Sequence, residues 1–190
     1  KKLISFVGKL NTAKGYDIFG KTIIKILNKY PSWSANVIGD EPREEFNFYH
    51  KNLNILGFKK HKDVLLNFEK TSIAVVCSRW NEPFGRTSLE ASSRGCGVII
   101  SNRGGLPETI TNGIILKDLT TTSLFKEIEN LIKNPKFLKK LQTDSIKNFI
   151  LDDKYISKQI DQCRQRTSSL IFNIDKTKNL KNLKILHVTN

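Results

Sequence analysis

The chain has 190 residues, 38% of them hydrophobic and 26% charged, with a formal net charge of +14. That length supports one sizeable domain with its own core, and the balance is that of a globular chain rather than a disordered one. No apolar run reaches the length of a membrane-spanning helix, and Lys1-Lys2 runs straight into a short strand-like segment ending at Gly8, which is not the pattern of a secretory leader.

Short β-branched runs alternate with longer amphipathic stretches. The first strand is expected at Leu3–Val7 and the first helix at Asp17–Tyr30, closed by Tyr30-Pro31. A strand at Ala35–Ile38 follows, then a helix at Glu44–His50, a strand at Asn54–Leu56 and a helix at Lys62–Glu69. Next come strand Ile73–Cys77, helix Arg86–Arg94, strand Val98–Ser101 and strand Ile114–Leu116. These strands are almost wholly apolar, as strands buried on both faces of a parallel sheet are. Strands joined through helices imply right-handed βαβ units, hence an α/β, Rossmann-like, doubly wound parallel sheet.

Beyond Leu116 the pattern turns helical. Leu124, Ile128, Leu131 and Ile132 mark a helix over Thr122–Lys133, Asn134-Pro135 breaks it, and helices are expected at Lys136–Phe149 and about Lys154–Ser168. This organisation divides the chain into a domain over residues 1–170, a polar linker over 171–182, and Leu183–Asn190, a fresh buried-strand pattern. That last strand either pairs into the same sheet or opens a further Rossmann-like domain that is cut short; the second is the reading adopted.

The positive charge admits nucleic acid, an anionic membrane surface or a phosphorylated ligand as partner. It is also what Lys spread along solvated helix faces produces. Cys77, Cys96 and Cys163 are odd in number and match no zinc or haem spacing. They read as buried, reduced thiols, which fits a cytoplasmic setting.

Three loops carry chemistry. In Gly8-Lys9-Leu10 and Lys14-Gly15, directly after the first strand, glycine admits a phosphate and two lysines would neutralise it; a solvated lysine loop is the alternative. In Ser78-Arg79-Trp80-Asn81-Glu82-Pro83-Phe84-Gly85-Arg86-Thr87-Ser88-Leu89-Glu90 a constrained loop feeds a helix. The first amides of that helix, at Arg86, Thr87 and Ser88, lack intrahelical partners and form an anion site. Glu82 and Glu90 suit hydroxyls on the groups attached to a diphosphate, although an exposed helix with a dipole-favoured acid also explains them. In Ser101-Asn102-Arg103-Gly104-Gly105-Leu106-Pro107-Glu108 the glycine pair permits close approach, and Glu108 would stand at the sheet's carboxyl edge. Each loop alone is weak evidence; together they follow successive strands and would converge on one cleft. Neither G-x-G-x-x-G nor a Walker loop occurs, so NAD-linked redox chemistry and ATP hydrolysis lose their usual signatures.

At this point the residues resemble a known family. Glu82 and Glu90 in E-P-F-G-R-T-S-L-E, Gly104-Gly105-Leu106-Pro107-Glu108 as G-G-x-x-E, and the opening F-V-G-K-L…K-G are similar to the carboxy-terminal, donor-binding domain of GT-B-fold retaining glycosyltransferases of group 1 (family 4). The resemblance covers about Ile4 to Leu170. It implies a nucleotide-diphospho-sugar as co-substrate, such as a UDP- or GDP-sugar, with neither cofactor nor metal. It assigns Lys9 and Lys14 to the donor diphosphate, with Lys9 where the family usually has Arg, and Glu82 to the transferred sugar. Phe84 and Gly85 fall to the sugar hydroxyls, Arg86, Thr87 and Ser88 to the diphosphate, and Glu90 to the ribose. Phe58, in Leu56-Gly57-Phe58, falls at the nucleobase edge, with core packing as its alternative. Thr109–Gly113 is shorter than the family's usual loop, so the pocket rim would differ.

The resemblance further implies an amino-terminal acceptor domain in the same parent chain, a saccharide or lipid-linked acceptor, work in the cytoplasm or at the cytoplasmic face of a membrane with peripheral contact there, and a role in polysaccharide biosynthesis. The chain alone is then expected to be inactive. No Asp-x-Asp motif occurs, Asp152-Asp153 lies in the helical tail, and His50, His61 and His187 match no triad or ligand spacing, so each reads as structural or exposed. The rival class is a non-catalytic module binding sugar nucleotides, or a polyanion or membrane surface. A surface built for nucleic acid would gain nothing from Glu82, Glu90 and Glu108, so nucleic acid is not expected as a partner.

Overall fold

The structure, a computed structural model, describes residues 1–175, with side chains described to residue 167. Six strands form one all-parallel sheet in the order β3-β2-β1-β4-β5-β6. They are β1 (Leu3–Val7), β2 (Ser34–Ile38), β3 (Leu53–Ile55), β4 (Ile73–Val76), β5 (Gly97–Ser101) and β6 (Ile114–Leu116). Each of the six strands expected between Leu3 and Leu116 exists, within one residue at each end.

Alternation along the strands divides the core in two. Ile4, Phe6, Val37, Val75 and Ile99 face one layer, where α1 (Tyr16–Lys29) and α4 (Thr121–Lys133) pack through Phe19, Ile23, Leu124 and Ile128. Ile38, Ala74, Val98 and Ile100 face the other, with Val64 and Phe68 of α2 (His61–Lys70) and Ala91 of α3 (Arg86–Ser93). Both faces are thus covered, which is why the strands read as unbroken apolar runs. Thr120 caps α4 by accepting from the Ser123 amide at 3.1 Å, and Pro135 starts α5 (Pro135–Lys147), where a missing N–H costs nothing.

The helix expected at Glu44–His50 does not form. Burial alternates there, with residues 44, 46, 48 and 50 half-buried and 45, 47 and 49 exposed. Phe46 and Phe48 stack on each other, centroids 5.9 Å apart, and both meet the Tyr16 ring edge-on. Residues two apart share a face only in extended backbone. A 3-10 turn at Leu106–Thr109 is an element the sequence did not announce.

Residues Lys1–Ile150 make one compact unit, and a second begins at Leu151. Within it α6 (Asp153–Asp175) runs past residue 170, into the stretch expected as linker. The strand expected at Leu183–Asn190 lies outside the described residues. Among the described residues no helix is long and apolar enough to cross a membrane.

Candidate active site

The strand order reverses between β1 and β4, so the loops leaving their carboxyl ends run to opposite sides and open a crevice. Two adjoining clefts lie there. The first, of about 220 Å³, is lined by Gly8 and Lys14 from the loop after β1 and by Glu82, Phe84, Gly85, Arg86 and Thr87 from the β4–α3 loop and helix start. The second, of about 250 Å³, is lined by Gly8 and Lys9, by Gly39 and Asp40 after β2, and by Phe58, Lys59 and Val64. Val7 and Gly8 belong to both, so the clefts meet at the tip of β1.

Each wall is held by identifiable bonds. Gly15, at φ 73°, packs so closely that a Cβ there would come within 1.9 Å of the Cys77 carbonyl oxygen. Only glycine lets the lysine loop seat against the end of β4. Arg79 donates to both carboxylate oxygens of Asp17, at 2.5 and 2.7 Å, and to the Thr12 carbonyl at 2.6 Å. The guanidinium holds the Asp17 carboxyl below its usual range. The loop after β2 is tied in as well: Glu44 accepts from the amide and hydroxyl of Thr12 at 2.8 and 2.6 Å. Glu41 accepts from Arg43 at 2.7 and 2.9 Å, which, joined by Asn11, brings its carboxyl down to about 2.

Inside the first cleft Lys14 Nζ forms an ion pair with the carboxylate of Glu82. The amides of Thr87 and Ser88 have no partner among the described residues, while that of Arg86 donates back to the Phe84 carbonyl at 3.1 Å. The unpartnered Thr87 amide and a helix dipole thus stand at the cleft wall. The Ser88 side chain is buried, donating to the Gly85 carbonyl at 2.8 Å and lying 2.6 Å from the Thr109 hydroxyl. Its hydroxyl fixes the turn, and the residue, wholly buried, lines neither cleft, so Ser88 supports the helix start where ligand contact was expected.

Gly104 and Gly105 do make a close approach, but to protein. A Cβ on Gly104, at φ 53°, would lie 2.3 Å from the Glu82 carbonyl oxygen, and the Gly105 amide donates to that same oxygen at 2.7 Å. The glycine pair supports the loop that carries Glu82. Glu108 is exposed and lines neither cleft, although Leu106 beside it lines the first. Phe58 is 73% exposed, which removes core packing as its role and leaves its ring on the wall of the second cleft. Lys9 and Lys14 stand on different clefts, either side of Gly8.

Glu90 lines neither cleft directly. Its carboxylate accepts from His61 Nε2 at 3.0 Å, and Arg86 Nη2 lies 3.5 Å from the same oxygen. Sequence reasoning missed this role for His61, as it missed the Arg79–Asp17 clamp. The partners are 29 and 62 residues apart, and no local spacing announces them. Among the described residues no group of three or more His, Cys, Asp or Glu could hold a metal ion.

The sheet order and the crevice at its reversal define an α/β, Rossmann-like half of a GT-B fold. Residues 1–150 match the family model described as "Glycosyl transferases group 1", and the chain belongs to that family. It is 33% identical over 143 residues to spore coat protein SA of Bacillus subtilis (strain 168), covering 67% of this chain and 38% of that protein. Among solved structures it resembles the C-terminal domain of the group 1 glycosyl transferase LpcC from Francisella tularensis, with TM-score 0.69 and 27% identity over 77% of this chain and 83% of that one. It also shares its fold with Anabaena HepE in complex with UDP and glucose, with TM-score 0.73 and 20% identity over 87% of this chain and 48% of that one. The chain thus spans well under half the length of the curated relatives it matches.

Proposed function

We propose that this chain is the donor half of a retaining glycosyltransferase, gripping a nucleotide-diphospho-sugar across the two clefts. The base lies against Phe58 in the second cleft, the ribose hydroxyls reach Glu90, and the diphosphate passes over Gly8 to the helix start at the Thr87 amide. The sugar lies near Glu82 in the first cleft, with Phe84 and Gly85 beside its hydroxyls. Carrying this reading is one observation: Lys14, Glu82 and Thr87, whose amide is unpartnered, share a cleft whose floor, Gly8, continues into a second cleft walled by Phe58. The UDP bound by HepE is of the chemistry these clefts suit.

Transfer breaks the bond between the anomeric carbon and the diphosphate oxygen and forms one from that carbon to an acceptor hydroxyl oxygen, whose proton passes to the departing diphosphate; negative charge gathers on the diphosphate as the sugar carbon becomes cation-like. The Lys14 ammonium, the Lys9 ammonium and the helix start meet that charge in place of a metal. Glu82 faces the positive sugar, and Lys14, paired to it beforehand, keeps the carboxylate from repelling the incoming diphosphate. Retention, and an acceptor held by an amino-terminal domain of the parent chain, belong to the same proposal. So do a saccharide or lipid-linked acceptor and work at the cytoplasmic face of a membrane.

Thermal shift tests the reading, with UDP-, GDP- and ADP-sugars set against duplex DNA and anionic vesicles. A ligand at 100 times its Kd stabilises by about 2.7 kcal/mol. Stabilisation by one class of sugar nucleotide, with no sugar transfer by the chain alone, is the expected result. Salt-sensitive binding to the polyanions alone would replace the proposal with a surface-binding module.

A further inference from the structure

We infer that His61 is a positioning residue for nucleotide recognition: it orients the Glu90 carboxylate and so sets the discrimination between ribose and deoxyribose. The inference rests on the donor-site reading above and adds a residue to it.

His61 is the first residue of α2, exposed, and one turn before Val64, which lines the second cleft. Glu90 lies in α3, one turn beyond Arg86, which lines the first. Their hydrogen bond of 3.0 Å therefore spans from the helix of one cleft to the helix of the other. A carboxylate only accepts, so Nε2 carries the hydrogen and the imidazole is the donor.

The two oxygens of Glu90 are used unequally. His61 and Arg86 both approach Oε1, and Oε2 has no partner among the described residues. One oxygen is thus anchored while the other stays open to a hydroxyl donor. Without His61 the remaining tether is Arg86, at 3.5 Å with a side chain 76% exposed. Glu90 would then sample several rotamers and lose that freedom on binding. His61 removes that entropic penalty in advance while leaving open the oxygen that does the recognition.

The test measures calorimetric affinity of the full chain for UDP, GDP and ADP and for the 2′-deoxy form of each. The variants are His61→Ala, His61→Gln and Glu90→Gln. Lost hydrogen bonds to a charged acceptor predict a ribo-over-deoxy preference of about tenfold or more in the unaltered chain. His61→Ala should bring that ratio to within about threefold of unity, and His61→Gln, which keeps an N–H donor, should restore most of it. A general packing defect would weaken ribo and deoxy ligands alike and leave the ratio standing. If Glu90→Gln abolishes the preference while His61→Ala leaves it intact, this inference falls and the donor-site reading survives. Tighter ribonucleotide binding by His61→Ala would mean that His61 competes with the ribose, and would also overturn it. Absence of binding to any of the diphosphates by the unaltered chain removes both.

Discussion

Lys14 and Glu82 join the two loops that leave β1 and β4, and their ion pair spans the crevice at which the sheet reverses. It is half-shielded, with Lys14 32% and Glu82 13% exposed at the side chain. Such a pair contributes only about 1 kcal/mol to folding once solvent screening is counted. On the proposed donor reading its importance is in binding, because the same ammonium would meet the diphosphate. Lys14→Ala should cost the chain about 1.5–3 kcal/mol of nucleotide-sugar affinity, roughly 10- to 100-fold, with a thermal midpoint lowered by only a few degrees. Calorimetry with each sugar nucleotide reads the first and a melting curve the second. A large stability loss with unchanged affinity would make the pair structural.

Gly104→Ala separates support of the Glu82 loop from contact with ligand. The new methyl would meet the Glu82 backbone in a conformation that L residues rarely adopt, at φ 53°. Overpacking of this kind costs about 1–3 kcal/mol, and here it would also displace Glu82. We expect a lower melting temperature and weaker sugar-nucleotide binding together. Weaker binding with an unaltered melt would return Gly104 to direct ligand contact.

Strands were the most legible part of the fold, because Ile4–Val7, Ile73–Val76 and Val98–Ser101 are buried on both faces and offer no competing period. Glu44–His50 was misread although Phe46 and Phe48 carry the two-residue period; charged neighbours at Glu44 and Glu45 imitated a helix start. Of the site, what could be read was whatever one loop carries: Gly8-Lys9, Lys14-Gly15 and Glu82 through Thr87. What could not was any pairing made by the fold. His61 meets Glu90 only because α2 and α3 lie side by side, and Gly104 announces a close approach without saying what approaches.

The cysteines divide by environment. Burial pushes the Cys77 and Cys96 thiols up to about 12, while Cys163, on α6, is exposed and departs from the expectation of buried thiols. Since the thiolate is the reactive form, a colorimetric disulfide reagent at pH 8 should label one thiol per folded chain promptly and all three in denaturant. Prompt reaction of a second thiol in the folded chain would place Cys77 or Cys96 within reach of solvent and contradict the packing of β4 or of the turn before β5.

Acid should loosen the chain through two carboxylates. Glu129 accepts from the Tyr30 hydroxyl at 2.7 Å and pairs with Lys29 at 2.7 Å and Lys133 at 3.3 Å, joining the end of α1 to α4. Lys29 first, then Tyr30, hold its carboxyl down to about 2, against 4.5 for the free group; Glu41 is depressed to the same level by Arg43 and Asn11. A depressed carboxyl contributes stability that is present above the unfolded value and is lost as pH falls through the folded one. The unfolded chain therefore takes up protons first, and stability should decline between about pH 4.5 and pH 2. Glu129→Gln removes one of the two groups. Denaturant titrations should find it less stable than the unaltered chain at pH 7, with the gap narrowing at pH 3. A gap of the same size at both pH values would mean that the Lys29–Glu129–Tyr30 cluster is not what fixes α4 against α1.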